Sequence, residues 1–298
     1  MTVFAQDLAL VTPFVQVAAF KAHPTYLDLG NLRSGSSQQA DQDAELFNIL
    51  LIASASVENE CNQPIQAHVQ TDNRRLYVDR RGRLHLYPDH APVRTVLSYS
   101  YQTSPGTSAT SIANPTCWIE DGRQITVDLA GSAMSWSGAL QLGGPSPSQE
   151  LFTSTTYVAG YANATMSSCT LGATSITVSN PTGIFAGDTL RIWEPGKEES
   201  VVVGAGWAGQ NTVPFTPAAI PISATQFAHA AGTGVTGFAA DLTLATTYFA
   251  IDGLQRWGTS SANWPGARVK SATGKNMDNM TPWERKACRL LEPYGRTR

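Results

Sequence analysis

This chain is short of charge. Asp, Glu, Lys and Arg make up 14% of its 298 residues, against about 25% in an ordinary soluble domain. A surface with so few ions is covered by Ser, Thr, Asn and Gly, as in β-rich extracellular or virion proteins, or by other subunits, since contact centres are depleted of charge. Cysteine is scarce too. Cys61, Cys117, Cys169 and Cys288 form no CxxC pair, which excludes the common zinc-ligand spacings, and four in a chain this long make no disulfide framework. They read as buried thiols of a reducing compartment. No apolar run approaches 18 residues, so no membrane span is expected. The opening MTVFAQDLALVTPFVQVAAF lacks the basic start and unbroken apolar stretch of a secretory signal. The expectation is a protein made and folded in a cytoplasm.

Catalytic constellations are also missing. There is no GxxxxGK[ST], and MSWSG at 134–138 has Met and Trp where a GxSxG elbow needs its first Gly and its Ser. GAGWAG at 204–209 does match GxGxxG, but QNTVPFTP follows it where a pyrophosphate site needs a helix. A β-turn accounts for it better. The five histidines are scattered. His85 and His90, with Asp89 between them, do not have a metal-ligand spacing, and a hydrolase would have to be assembled from these three. Glu120 and Asp121 precede Gly122 and read as a turn. No catalytic, cofactor-binding or metal-binding residue is assigned, and the chain is not expected to be an enzyme.

What is present is a change of texture along the chain. QADQDAELFNILLIASASVENE, about 39–60, is a helix. Its acids lie in the first turns, where the macrodipole favours them, and Leu46, Ile49, Leu50, Ala53 and Val57 recur on one face. From about 65 to 129 the period becomes two. RLYVDRRGRLHLYP predicts two strands around a turn at Asp79–Gly82. With Arg74, Arg75, Arg80, Arg81 and Arg83 it makes a basic hairpin, either solvated or touching a subunit or phosphate. Residues 131–156 are Ser/Gly/Pro-rich and read as a loop. From about 167 to 237, β-branched residues alternate with Gly, Pro and Asn turns, which predicts a separate all-β module, a small sandwich or barrel.

Helix returns at about 240–257, with Asp241 as a candidate N-cap and Gly258 as a candidate stop. Leu244, Ala245, Tyr248, Phe249 and Ile251 give it a broad apolar arc. The last helix, about 281–292, opens with Thr281-Pro282-Trp283-Glu284, a capping box with Pro at the first helical position. Trp283, Ala287, Leu290 and Leu291 form its apolar stripe, and Arg285, Lys286 and Arg289 lie on other faces. Residues 268–298 hold eight basic side chains against three acids, so the preceding 267 carry −8 within a net charge of −3. The cationic end is either a solvated terminus or a tethered helix that docks on an acidic partner or a nucleic acid. The same helix can fold back on its own domain. As a free peg it would be removable without unfolding the rest.

These pieces together carry a resemblance. AAFKAHPT, QDAELFNILLIASASVENECNQPI, RLYVDRRGRLHLYPDHAPVRTVLSYSY, YVAGY, DLTLATTYFAIDGLQRWG and MTPWERKACRLLEPYGRTR resemble the tailed-bacteriophage head-to-tail connector (adaptor) family, and the β module resembles inserts found in virion proteins. The resemblance implies an α+β fold: a small helical connector core in two parts (1–166 and 238–298), with a strand-rich extension and an inserted all-β module (167–237). It further implies a structural, non-enzymatic protein of the virion neck, assembled in the host cytoplasm. The homo-oligomeric ring, usually twelve subunits, would sit below the portal protein and above a stopper or tail protein. DNA would pass through its lumen without sequence-specific binding. Carried over by position, Trp283, Arg285, Lys286, Arg289, Leu290, Arg296 and Arg298 would contact the portal.

Elementary physics agrees on two points. A ring needs one face of each subunit to meet a different face of the next, and a low-charge surface supplies such faces. A net negative body suits a channel that must not grip phosphate. The competing reading is a virion protein binding host-surface carbohydrate or receptor through the β module, with Trp193, Trp207 and Phe185 stacking on sugar. Aromatic residues in small β modules are more often core.

Overall fold

The computed structural model describes residues 12–25, 27–33, 35–104, 106, 108–112, 116–129, 148–209, 216–256 and 280–295. Most of the expected loop at 131–156, the candidate stop Gly258, the basic residues Arg268, Lys270 and Lys275, and Arg296 and Arg298 lie outside them. The architecture is α+β, helices with antiparallel sheets, and the chain divides into two compact units: residues 1–66 with 161–298, and residues 67–160.

In the first unit, α1 (Val17–Ala22), α2 (Gln39–Cys61), α3 (Ala240–Arg256) and α4 (Pro282–Leu291) surround one apolar core. α2 buries Leu46, Ile49, Leu50, Ala53, Val57 and Cys61 along one face, the stripe its periodicity predicts. Each large side chain so buried contributes about 1.5–3 kcal/mol. Asn62 ends α2 in the left-handed conformation, its amide donating to the carbonyls of Asn59 and Glu58, a role asparagine fills with little strain. α3 begins at Ala240, so Asp241 lies inside the first turn. It complements the macrodipole there and is not the N-cap the sequence suggested.

The last helix departs further from expectation. Thr281 does cap α4, its hydroxyl accepting from the Glu284 amide at 3.2 Å, and Pro282 starts the helix. The apolar stripe is not left free for a partner. Ala287, Cys288 and Leu291 are buried in the same core as α2 and α3, with Trp283 and Leu290 packed against it. Of the two outcomes the sequence left open, the helix takes the fold-back. Burying its apolar side against α3 removes from water what a free peg would have to leave exposed.

The strands β8 (Asn163–Thr165), β9 (Ser175–Val178), β10 (Thr189–Trp193), β11 (Glu199–Val202), β12 (Ala218–Pro221) and β13 (Gly234–Thr236) form a sheet ordered β11-β10-β13-β8 and a pair β12-β9. They enclose a second core of Ile176, Val178, Leu190, Ile192, Val201 and Val235, among others. Gly204–Gly209, the GxGxxG match, opens with a turn in which the Trp207 amide donates to the Gly204 carbonyl at 3.1 Å. Gln66 bridges to Tyr161, and the Tyr161 amide donates to Ile65 at 2.9 Å. The Gly237 amide likewise donates to Ala162 at 2.9 Å.

The second unit contains β1 (His68–Tyr77), β2 (Arg83–Leu86), β3 (Val93–Gln102), β4 (Thr110–Ile112), β5 (Cys117–Glu120), β6 (Gln124–Asp128) and β7 (Glu150–Ala159), in sheets ordered β1-β7-β3-β4 and β2-β6-β5. The turn at Asp79–Gly82 is present, with the Gly82 amide on the Asp79 carbonyl at 3.1 Å. The basic hairpin is not. β1 pairs with β7 over ten residues, from His68↔Ala159 to Tyr77↔Glu150, while β2 pairs with β6. β7 inserts Leu151, Thr153, Thr155, Tyr157 and Ala159 inward. Burial of that alternating face fixes the register and takes β1 from its sequence neighbour. Arg74, Arg75 and Arg83 pair with Asp89, Glu150 and Asp128.

Candidate functional site

The basic surface of α4 is built from the helix upward. With Ala287, Cys288 and Leu291 turned into the core, the 3.6-residue period turns Lys286 and Arg289 outward. Trp283 stands between the two sets. Its ring packs on Tyr248 of α3 with centroids 5.4 Å apart, and its indole N–H donates to Gln255 Oε1 at 3.0 Å. The Lys286 ammonium lies 4.7 Å from the Trp283 ring centroid and 5.9 Å from that of Tyr248, within cation–π range of both. That contact positions a cation whose head remains exposed. Arg289 lies in the last turn, where the helix dipole favours positive charge.

Of the residues assigned to docking, the structure thus joins Trp283 and Lys286 and exposes Arg289. Arg285 is half-buried, and Leu290 packs on the core. An ammonium and a guanidinium one helical turn apart can pair with carboxylates on another protein, the guanidinium in bidentate fashion.

The residues considered for hydrolysis do not form a constellation. His85 Nε2 lies 3.3 Å from Asp79 Oδ2 and its Nδ1 3.1 Å from Thr126 Oγ1. Asp89 pairs with Arg74, and His90 Nδ1 is 2.7 Å from Nε2 of His68. Asp121 and Gly122 take positive φ, with the Arg123 amide on the Glu120 carbonyl at 2.9 Å: a turn. Trp193 is covered by Arg191, 4.2 Å from its centroid, and donates to Thr236 Oγ1 at 2.8 Å. Trp207 donates to the Ile184 carbonyl at 2.9 Å and packs on the β-module core. Phe185 is half-buried, its amide bonded to Asp188 Oδ2 at 2.8 Å. A cavity of about 440 Å3 lies between α1, α3 and β10, with Phe14, Val15, Trp193 and Leu244 in its wall.

One polar cluster escaped sequence reasoning. His229, fully buried in the β module, lies with Nδ1 2.9 Å from Glu194 Oε2 and Nε2 2.6 Å from Glu199 Oε1. Lys197 Nζ is 2.9 Å from Glu194 Oε1. The ion pair with Lys197 pulls the Glu194 carboxyl below its usual range against partial burial, helped by His229 and the Ala230 amide. For Glu199, burial pushes upward, but the amides of Gln226 and Phe227 and the His229 ring outweigh it and the net shift is downward. The available signal was EPGKEE itself, three acids and a lysine in six residues of a charge-poor chain. Their histidine partner lies some thirty residues on and could not be paired from sequence. Among the described residues no group of three or more His, Cys, Asp or Glu is placed to hold a metal ion, and no helix is long and apolar enough to cross a membrane.

No protein-family model matches the chain, and no curated protein matches it significantly. Among solved structures, a chain described as the neck of an empty GTA particle computed with C6 symmetry aligns over 95% of this chain and 94% of its own length. The two are 13% identical with a TM-score of 0.35. At that score the overlap is too loose to carry fold or function across.

Proposed function

We propose that the protein is a structural subunit of a tailed-phage virion neck: a head-to-tail connector that closes into a ring, usually of twelve copies, below the portal. The observation that carries this reading is the construction of α4. The helix is locked to its own core on one side and offers an oriented cationic pair, Lys286 and Arg289, on the other. A rigidly mounted charge pair loses little entropy on docking, which suits a permanent joint. Trp283 backs Lys286 and Leu290 packs on the core, while Arg285 and, further along the sequence, Arg296 and Arg298 add positive charge. The partners are further copies of the chain, the portal protein above, and a stopper or tail protein below. The acidic remainder of the chain lets DNA pass without being held, and no catalysis is required. The sequence resemblance to connectors is the second support.

Electron microscopy and light scattering of the purified protein test the ring; closed rings are expected. The double variant K286E/R289E should still form rings but lose at least about tenfold in joining to portal-containing heads, as removal of two charge-assisted pairs implies. A protein that stays a single copy at micromolar concentration would exclude the connector. Rings of the variant that join heads normally would exclude the docking surface.

A further inference from the structure

The proton count of the buried cluster in the β module is fixed by its neighbours. Each of the four carboxylate oxygens faces an N–H donor. Glu194 Oε1 faces Lys197 Nζ at 2.9 Å, and Oε2 faces the Ala230 amide at 3.1 Å as well as the His229 ring. Glu199 Oε2 faces the Gln226 amide at 2.7 Å, and Oε1 faces the Phe227 amide at 3.3 Å as well as the other ring nitrogen. A proton on Glu194 Oε1 or Glu199 Oε2 would point at a donor, and on either of the other two oxygens it could only be shared with the His229 ring. Lys197 and three backbone amides hold both carboxyls below their usual range, so both are ionised. An ionised carboxylate only accepts, so both nitrogens of His229, at 2.9 and 2.6 Å, must donate. A ring that donates twice is an imidazolium. His229 and Glu199 are the buried pair; Glu194, partly buried, and Lys197, whose side chain is 44% exposed, complete a set in which two positive charges balance two negative ones.

The cluster joins two surface loops to the turn between β10 and β11. Its carboxylates accept from Gln226, Phe227 and Ala230. His229 also exchanges backbone bonds with Cys169, the other titratable residue beside it, at 3.1 and 3.0 Å, and Thr225 Oγ1 donates to the Thr170 carbonyl at 3.0 Å. These loops display Leu171 and Phe227, which are 68% and 38% exposed.

We propose that Glu194, Lys197, Glu199 and His229 form a charge-neutral latch, with a cationic His229 at its centre, that holds the 225–230 loop shut on the β10–β11 turn and fixes the presentation of Leu171 and Phe227. Loss of the ring proton puts a nitrogen lone pair against a carboxylate, and loss of either carboxylate charge strands backbone donors. In each case the loop opens while the strands beneath it stay paired. The proposal does not depend on the connector reading.

Two measurements on the full chain test it. In 15N-labelled protein whose 225–230 loop amides are protected from exchange, both His229 ring nitrogens are expected to carry protons; a neutral tautomer with one lone-pair nitrogen overturns the latch. In H229Q, hydrogen exchange at the amides of Gln226, Phe227 and Ala230 should accelerate about tenfold or more, as loss of charge-assisted bonds implies, with Leu190 and Val201 unchanged. Unchanged loop amides would overturn the proposal. Equal acceleration in loop and strands would do so too, because the cluster would then be holding the whole module.

Discussion

Thr281 hydrogen-bonds Asp252, so one hydroxyl both caps α4 and ties it to α3. It accepts from the Glu284 amide and donates to a carboxylate that is only 2% exposed. A helix start that looks local in the sequence is therefore also a tertiary contact. In T281A the cap is lost and the buried carboxylate loses a donor, so urea unfolding should show a loss of about 1–3 kcal/mol. T281S, which keeps the hydroxyl, should recover most of it. A loss in T281A of a few tenths or less would mean that the hydroxyl does not link the two helices.

α4 behaves as core, not appendage. Leu291→Ala should destabilise by about 2–5 kcal/mol and the half-buried Leu290→Ala by less. Deleting Pro282–Arg298 uncovers the core surface of α2 and α3, and the truncated chain should lose helical circular dichroism and bind a hydrophobic dye. A truncated chain with an intact spectrum and native stability would restore the detachable peg.

Glu58 makes stability fall as pH rises. Burial raises its carboxyl above the usual range, although the amides of Ile65 and Gln66 donate to Oε1 at 2.9 and 3.3 Å and pull the other way. An acid whose folded value is raised contributes stability that is full below the unfolded value and is lost as pH climbs through the folded one. Glu58→Gln keeps an acceptor and removes the buried charge. It should equal or exceed the parent in stability at pH 7, and the gap should close near pH 4, where the parent carboxyl is protonated as well. Glu58→Ala should cost about 1–3 kcal/mol at both. Chemical denaturation at the two pH values checks the sign.

The four thiols should separate by reactivity. Burial, with Glu58 and Cys288 nearby, pushes the Cys61 thiol up to about 12, and Cys288 is buried beside it in the helical core. Cys117 and Cys169 are part-exposed. Since the thiolate is the reactive form, a maleimide probe should label Cys117 and Cys169 in the native protein and reach Cys61 and Cys288 only on unfolding. Early labelling of Cys61 would show that the helical core opens locally.

The sequence was most legible where a signal is contained within one element. α2 was readable because a 23-residue helix repeats its apolar face several times, and the α4 start because capping is a four-residue event. Partner choice was not readable. β1 and β2 look like a hairpin, yet β1 answers to β7 some seventy residues on, because burying both strands on one sheet outweighs the proximity of their ends. The faces of α4 were half legible: helical periodicity gave those of Trp283, Lys286 and Arg289, but whether the apolar face met another protein or α3 depends on tertiary packing. The buried Glu194–His229–Glu199 group was invisible for the same reason, since a charged residue shows its partner only once the loops have been brought together.

Gln66 and Tyr161 lie side by side, as do Ala162 and Gly237. The chain therefore leaves and re-enters the helical unit at neighbouring doorways, first for residues 67–160 and then for the β module. Either excursion can be lengthened, shrunk or swapped for an unrelated one without rethreading α2, α3 and α4.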